Sequence, residues 1–167
     1  MKTAIITGSV GSGKTTLANN LRKILKYKHL HVDTLLRKNN LKDDYDKKRK
    51  CHVIDTKELN KILLQEMKDA KGEKGVIIDS HLAHHLPKKV VDTCIVTICK
   101  IEKLAARLKK RKYHQQKIKE NIECEIFHVC LEEARKRHKK VIVVDTTKGV
   151  NKAELSKRLN DFNESSN

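Results

Sequence analysis

The residues with the clearest chemical potential are eight near the N-terminus, Gly8-Ser9-Val10-Gly11-Ser12-Gly13-Lys14-Thr15. They match the phosphate-binding pattern G-x-x-x-x-G-K-[ST] at every position. In such a loop the glycines let backbone amides approach phosphate oxygens, the lysine reaches the outer phosphates, and the threonine hydroxyl can hold Mg²⁺. The pattern predicts that ATP binds at Gly11, Ser12, Gly13, Lys14, Thr15 and Thr16. The alternative is a glycine-rich turn followed by Lys-Thr by chance.

The sequence around this loop supports the first interpretation. Residues 2–7 are a short apolar run typical of a strand, and residues 16–25 have apolar side chains at helical spacing, including Leu17 and Leu21. A strand, a glycine-rich loop and a helix N-terminus together direct backbone N–H groups and the positive end of the helix dipole at one anion.

The rest of the chain repeats this alternation of strand and helix. Apolar runs at 28–32, 76–79, 93–99 and 141–144 indicate four further strands. Helical patterns cover 55–70 and 101–110, then one long helix after the basic break 111–114, and a last helix from Asn151. Five strands alternating with helices predict an α/β fold with a parallel sheet covered on both faces. We expect residues 1–167 to form one domain, with inserts at about 33–56 and 110–120.

Two carboxylates follow predicted strands, where the ligands of parallel sheets bind. Asp79 comes after Val76-Ile77-Ile78, as expected for a carboxylate that orients the Mg²⁺ shell, in part through water. The alternative is an ordinary turn or helix-capping aspartate. Asp33 ends the second strand and is predicted to cap a helical turn over residues 34–38.

Histidines follow Asp79 closely. His81 lies two residues further on, where it could position an attacking water or a metal-bound water, although a loop histidine is often only a polar surface group. His84 and His85 could join it in a metal site, but no cysteine or carboxylate at suitable spacing supports zinc.

Three arginines are candidates for holding phosphate. Arg107 and Arg111 are four residues apart, so they share a helix face beside the basic break. Cations there could neutralise charge on a moving phosphoryl group, with Arg111 as the arginine of a closing lid. Arg37, four residues after Asp33, could grip the phosphate of an acceptor nucleotide in a bidentate manner. A solvated basic face is the alternative for these cations.

The composition is strongly basic, with 38 lysines and arginines and a net charge of +17. Such a surface attracts nucleotides, RNA phosphates or a ribosomal surface, but a lysine-rich proteome would produce it equally well. Aromatic residues make up 3% of the chain, which argues against base-stacking platforms.

Other compositional signals concern location and cysteine chemistry. The five cysteines are odd in number and lack C-x-x-C spacing, as expected of reduced thiols. No apolar run is long enough to predict a membrane span, and the N-terminus does not read as a signal peptide. We therefore expect a monomer in the cytoplasm, or also in the nucleus if the source is eukaryotic.

Several local motifs together resemble one known family, the atypical adenylate kinases of the isoenzyme-six type. Besides residues 8–16, the resemblance rests on Val32-Asp33-x-Leu35-x-Arg37, Tyr45-Asp46, Cys51-x-x-Ile54-Asp55, Asp79-Ser80-His81 and Arg107-Leu108-x-x-Arg111-x-Tyr113. Its most specific stretch is residues 121–129, NIECEIFHV, followed by Glu132-Glu133-Ala134.

The resemblance implies a P-loop nucleoside-monophosphate-kinase fold, with an acceptor insert at about 33–56 and a short lid at about 110–120. It implies MgATP-dependent phosphorylation of AMP, or of CMP or dCMP, together with ATP hydrolysis. It also implies catalytic roles for Lys14, Asp79, His81 and Arg111, and a small-subunit platform ribosomal protein bound during pre-ribosome maturation and rRNA processing.

The chain departs from the family pattern at Lys112, Ser80, Lys50 and His52, which leaves acceptor preference and lid behaviour open. Two alternative functions also remain. One is an ATPase assembly factor that acts mainly by binding a ribosomal protein, and the other is a small-metabolite kinase of the same fold.

Overall fold

A five-stranded parallel sheet forms the centre of the protein. This computed structural model describes residues 1–39, 54–150 and 155, together with the backbone of Tyr45–Asp46 and Cys51–His52. The sheet comprises β1 (Lys2–Thr7), β2 (Lys28–His31), β5 (Gly75–Asp79), β6 (Thr93–Ile98) and β7 (Val141–Asp145), in the order β2-β5-β1-β6-β7. Every pairing between neighbouring strands is parallel. The α/β fold and parallel sheet predicted from the sequence are confirmed.

Helices cover both faces of this sheet. They are α1 (Lys14–Leu25), α2 (Val32–Lys38), α3 (Thr56–Asp69), α4 (Ile101–Lys110), α5 (Gln115–Ile126) and α6 (Val129–Arg137). Two short strands, β3 (Tyr45–Asp46) and β4 (Cys51–His52), pair antiparallel outside the main sheet. Among the residues that the structure describes, no helix is long and apolar enough to cross a membrane.

Alternation along β1 places neighbouring residues in core clusters on opposite faces of the sheet. Successive strand residues point to opposite faces of a sheet, so Ile5 and Ile6, both fully buried, enter different clusters. Ile5 packs with residues of α2, α3 and α6. Ile6 packs with α1 and with the buried Leu155. Burial on both faces explains why these strands are continuously apolar rather than alternating.

The long helix predicted after the basic break is wrong: the chain forms two helices, α5 and α6. Phe127 and His128 separate them, and His128 adopts a left-handed φ of 50°. The sequence has no glycine or proline between 115 and 137 to mark the break. The cost of the left-handed residue is offset by tertiary packing, which buries Leu131 and Ala134 of α6 in the core.

Helix boundaries differ from the predictions by one or two residues elsewhere. α1 begins at Lys14 rather than Thr16. Val32 begins α2 instead of ending β2, so Asp33 lies in the first helical turn and is not its N-cap. The helical pattern predicted over 55–70 corresponds to α3, and Asp55 caps its N-terminus, since its Oδ1 accepts from the Lys57 amide at 2.8 Å. Most of the middle of the insert at 33–56 lies outside the described residues, as does the helix predicted from Asn151 apart from Leu155.

Candidate nucleotide-binding site

The phosphate-binding loop connects the end of β1 to the first turn of α1. Gly8, Gly11 and Gly13 have φ values of 140°, 89° and 95°, a region that side chains rarely adopt. Lys14 turns back over the loop, and its Nζ donates to the carbonyls of Gly8 at 3.0 Å and Ser9 at 2.9 Å. Burial lowers the pKa of Lys14, which favours binding of an anion that would compensate its charge.

Gly8 has no room for a side chain. A Cβ built there would lie 2.5 Å from both the carbonyl oxygen and the Oγ1 of Thr97 in β6. We expect Gly8→Ala to lower the free energy of unfolding by about 2–4 kcal/mol, because overpacking and left-handed strain add. Urea unfolding measures this. Gly72→Ala is the matched control, since a Cβ there meets nothing within 4 Å. Equal stability of the two variants would contradict this geometry.

Asp79 faces the first turn of α1 at the end of β5. Its Oδ2 accepts from the Thr15 hydroxyl at 2.7 Å, and its Oδ1 lies 2.7 Å from His29 Nε2 on β2. Burial raises the pKa of Asp79, but the hydrogen bonds from His29 and Thr15 outweigh it, so that the pKa lies below its usual value. An ionised carboxylate beside a threonine hydroxyl is an oxygen ligand set that suits Mg²⁺. These residues fit the predicted ion.

His81 lies at the mouth of the same cleft. Part of the residue reaches solvent, while protein atoms of the cleft surround much of the imidazole. Desolvation by the surrounding cleft, followed by the Lys14 charge, lowers the pKa of His81 to about 4, while Asp33 opposes this effect. The imidazole is therefore neutral at pH 7. It can orient a water or accept a proton, but it adds no positive charge to the site.

Arg107 and Arg111 border a cavity of about 460 Å³ next to the loop. The cavity is lined by Gly11, Gly13, Thr16, Arg107, Lys110, Arg111, Thr146, Gly149 and Val150. Its size and its position beside the phosphate loop suit a nucleotide base and ribose. The structure thus brings both predicted arginines together with the loop, and adds a segment after β7.

The two arginines differ in how they are held. Arg107 donates to the Gly11 carbonyl at 3.3 Å and to the Thr146 carbonyl at 2.7 Å. Arg107 thereby fastens the loop to the segment after β7. Arg111 follows the last residue of α4, is exposed, and is near enough to affect the pKa of Lys14. Arg111 is therefore free to turn toward bound phosphate.

Asp33 and Arg37 lie on α2 at the opposite side of the cleft, and both are exposed. Asp33 is close enough to influence the pKa of both Lys14 and His81. Arg37 Nε donates to the Asp33 carbonyl at 3.1 Å, across one turn of the helix. The remainder of the predicted acceptor insert lies beyond the described residues, so the acceptor roles of both residues stay predictions.

Side chains of helix α5 form hydrogen bonds with Ser9 and Val10 of the phosphate-binding loop, a contact that local sequence patterns do not reveal. The buried Glu125 accepts from Ser9 Oγ at 2.5 Å and from the Cys99 amide at 2.6 Å. One turn earlier, Asn121 Oδ1 accepts from the Val10 amide at 3.1 Å. We call Asn121 and Glu125 the α5 clamp. These side chains hold Ser9 and Val10 in one conformation.

A double-mutant cycle tests the α5 clamp. We expect Ser9→Ala and Glu125→Ala each to weaken ATP binding, with a coupling energy of about 1 kcal/mol between them, because each change removes the hydrogen bond that the two side chains share. Titration with a fluorescent ATP analogue provides the readout. Glu123→Ala, the same substitution at an exposed position of this helix, should leave ATP binding unaltered. Strictly additive effects would contradict the clamp.

A second buried network supports the strand that leads into the loop. His84 Nδ1 lies 2.9 Å from Thr7 Oγ1, and its Nε2 lies 2.6 Å from Glu133 on α6. Ligand atoms of His84, His85 and Glu133 lie within 4.8 Å of one another, a grouping that sequence spacing did not predict. Both ring nitrogens of His84 have hydrogen-bond partners, so its burial is accounted for by Thr7 and Glu133.

Sequence reasoning missed four residues of the site: His29, Thr146, Glu125 and Asn121. The rule that ligands bind at the ends of parallel strands could have identified Thr146, which directly follows β7. His29 lies within β2, and only the pairing of β2 with β5 brings it to Asp79. Glu125 and Asn121 belong to the stretch on which the family resemblance rests, but nothing in that stretch indicated that it contacts the loop.

Comparisons with solved structures agree with this architecture. Shikimate kinase from Acinetobacter baumannii, solved with shikimate, superposes with a TM-score of 0.64 at 14% identity, covering 99% of this chain and 94% of that one. Deoxyadenosine kinase from M. mycoides with bound dATP gives 0.59 at 15% identity, covering 98% and 100%. At such low identity these likenesses establish the fold alone.

Sequence comparisons identify the family. The family described as AAA domain matches residues 5–128. A Caenorhabditis elegans protein named adenylate kinase isoenzyme 6 homolog is 38% identical over 139 residues, covering 83% of this chain and 75% of the relative. A Dictyostelium discoideum protein of the same name is 33% identical, covering 84% and 78%. With this identity across most of its length, the chain belongs to the adenylate kinase isoenzyme 6 family of P-loop phosphotransferases.

Proposed function

We propose that this protein transfers the γ-phosphoryl group of MgATP to AMP. The observation that carries the proposal is the convergence of Lys14, the Thr15–Asp79 pair and Arg111 on one cleft. The relatives named adenylate kinase isoenzyme 6 homolog supply the acceptor class. CMP and dCMP are secondary candidates.

In this proposal a phosphate oxygen of AMP attacks the γ-phosphorus, and the bond from that phosphorus to the β–γ bridging oxygen breaks, so that two ADP molecules result. Positioning and charge neutralisation provide most of the catalysis in such transfers. Lys14 leaves its two carbonyl partners and binds the outer phosphates, while Thr15 and Asp79 hold Mg²⁺. When bound, Mg²⁺ neutralises phosphate charge. The neutral His81 orients water or the acceptor at the mouth of the cleft.

The two sides of the cleft have separate tasks in this scheme. The cavity beside Arg107 and Arg111 receives the adenosine of ATP, with Arg107 holding the cavity wall. Arg111 moves with the short lid at 110–120 and approaches the γ-phosphate on closure, which also excludes water. The opposite side, which begins at Asp33 and Arg37, receives AMP.

A coupled assay of ADP formation with and without AMP tests the proposal. Phosphorylation of AMP should raise ADP production well above the level with ATP alone. Equal production in both reactions would leave an ATPase and overturn the proposed acceptor. Repeating the assay with CMP, dCMP and shikimate distinguishes a nucleotide acceptor from the small metabolite of a kinase that shares this fold.

A second candidate function, ATP-dependent assembly of the small ribosomal subunit, is compatible with the net charge of +17. Here ATP hydrolysis would time release from a platform ribosomal protein, with lysines and arginines contacting RNA phosphates. Co-sedimentation with small-subunit precursors, with and without ATP, provides the test. A nucleotide-independent result would count against this function and leave the phosphotransfer proposal unaffected.

A further inference from the structure

Two cysteine side chains meet beside the phosphate loop, where α5 ends and α6 begins. The sulfur atoms of Cys124 and Cys130 lie 3.8 Å apart, in van der Waals contact, and both residues are partly exposed. Cys94 and Cys99 are buried. All four thiols are free. The left-handed turn at His128 brings the pair together across two helices.

The surroundings of Cys124 favour its thiolate. The Cys130 thiol lies within hydrogen-bonding distance of the Cys124 sulfur, and Cys130 belongs to the first turn of α6. A helix N-terminus stabilises a thiolate through its dipole and free amides. The hydrogen bond from Cys130 lowers the pKa of Cys124 to about 7, although burial and the carboxylates of Glu125 and Glu133 oppose the shift.

We propose that Cys124 and Cys130 form a peroxide-sensitive dithiol whose oxidation to a disulfide weakens ATP binding. The Cys124 thiolate attacks one oxygen of hydrogen peroxide, the O–O bond breaks, and sulfenic acid forms with release of one water after proton transfer. The Cys130 sulfur then attacks this sulfenic sulfur, and a second water leaves. Two thiols lose two electrons in total, and the peroxide gains them.

Both cysteines are connected to the nucleotide site. Cys124 immediately precedes Glu125, the member of the α5 clamp that binds Ser9 and the Cys99 amide. Cys130 is close enough to Lys14 to interact with its ammonium group. A disulfide requires the sulfurs to approach from 3.8 Å to about 2.0 Å. That approach draws the end of α5 toward α6 and displaces Glu125 from the loop.

The chemical arm of the test uses the full-length protein and hydrogen peroxide. After oxidation, free thiols are alkylated and the protein is analysed by intact mass and peptide mapping. We expect a reducible link between the peptides that contain Cys124 and Cys130. In the variant Cys130→Ser, oxidation should end at a sulfenic acid on Cys124, which dimedone traps. Cys51→Ser should form the same disulfide as the wild type. Full alkylation of both Cys124 and Cys130 after oxidation would overturn the proposal.

The functional arm measures ATP affinity before oxidation, after oxidation and after reduction with dithiothreitol. We expect roughly tenfold weaker binding in the disulfide form, full recovery on reduction, and no response in the variant Cys124→Ser/Cys130→Ser. Unchanged affinity in a protein with a mapped disulfide would overturn the link to the nucleotide site. The inference rests on the proposed ATP site, not on the acceptor, so failure to phosphorylate AMP would contradict the proposed transfer alone.

Discussion

Replacing Lys14 by methionine should lower kcat for ADP formation by about 10²–10³-fold. This is the usual effect of removing one hydrogen-bond donor that stabilises charge developing in the transition state. Lys14 Nζ donates to the carbonyls of Gly8 and Ser9, so the ammonium group is held at the phosphate-binding loop. Methionine has a similar length and no charge. The decrease in kcat therefore measures the contribution of the ammonium group separately from that of side-chain packing.

Stability should respond differently from activity. Burial lowers the pKa of Lys14, which means that the folded protein bears a desolvation cost for this charge. We therefore expect thermal unfolding of Lys14→Met at or above the wild-type temperature. Lys23→Met, an exposed change on the same helix, is the control and should retain full activity. Retention of wild-type kcat by Lys14→Met would remove the central element of the proposed mechanism.

Asp79→Asn should reduce kcat/KM by about 10²–10³-fold and weaken the apparent affinity for Mg²⁺, because a neutral amide is a poor ligand for a hard cation. Asp79 lies between two donors, the Thr15 hydroxyl and His29 Nε2. An amide nitrogen cannot accept from either of them. The new NH2 group can only donate, so the Thr15 hydroxyl must turn to accept from it, the His29 ring must change its tautomer, or one of the two hydrogen bonds is lost.

The control for this variant is Asp92→Asn. Asp92 is also a carboxylate bound at a strand end, since its Oδ2 accepts from the Thr3 amide at 2.6 Å. It lies at the opposite end of the sheet from the loop, so its replacement should affect stability and leave kcat unchanged. Mn²⁺ binding followed by electron paramagnetic resonance separates metal affinity from turnover. Wild-type metal affinity in Asp79→Asn would exclude this carboxylate from the ion site.

The fold was largely predictable because its signals are local. Apolar runs such as Val76-Ile77-Ile78 and helical spacing such as Leu17 and Leu21 are readable within a few residues of each other. The prediction of one long helix after residue 114 failed because the break between α5 and α6 has no local signal. Phe127 and His128 separate α5 from α6 without a nearby glycine or proline, and the burial of Leu131 and Ala134 explains why the chain changes direction there.

The sequence by itself determined the phosphate loop, because glycine conformation, lysine reach and a helix N-terminus are properties of adjacent residues. It also determined Asp79 as a carboxylate at a strand end. The tertiary structure alone decided which side chains support them. Ser9 and Glu125 are 116 residues apart, and His29 and Asp79 are 50 apart. Contacts of this range depend on how helices and strands pack, which no spacing along the chain encodes.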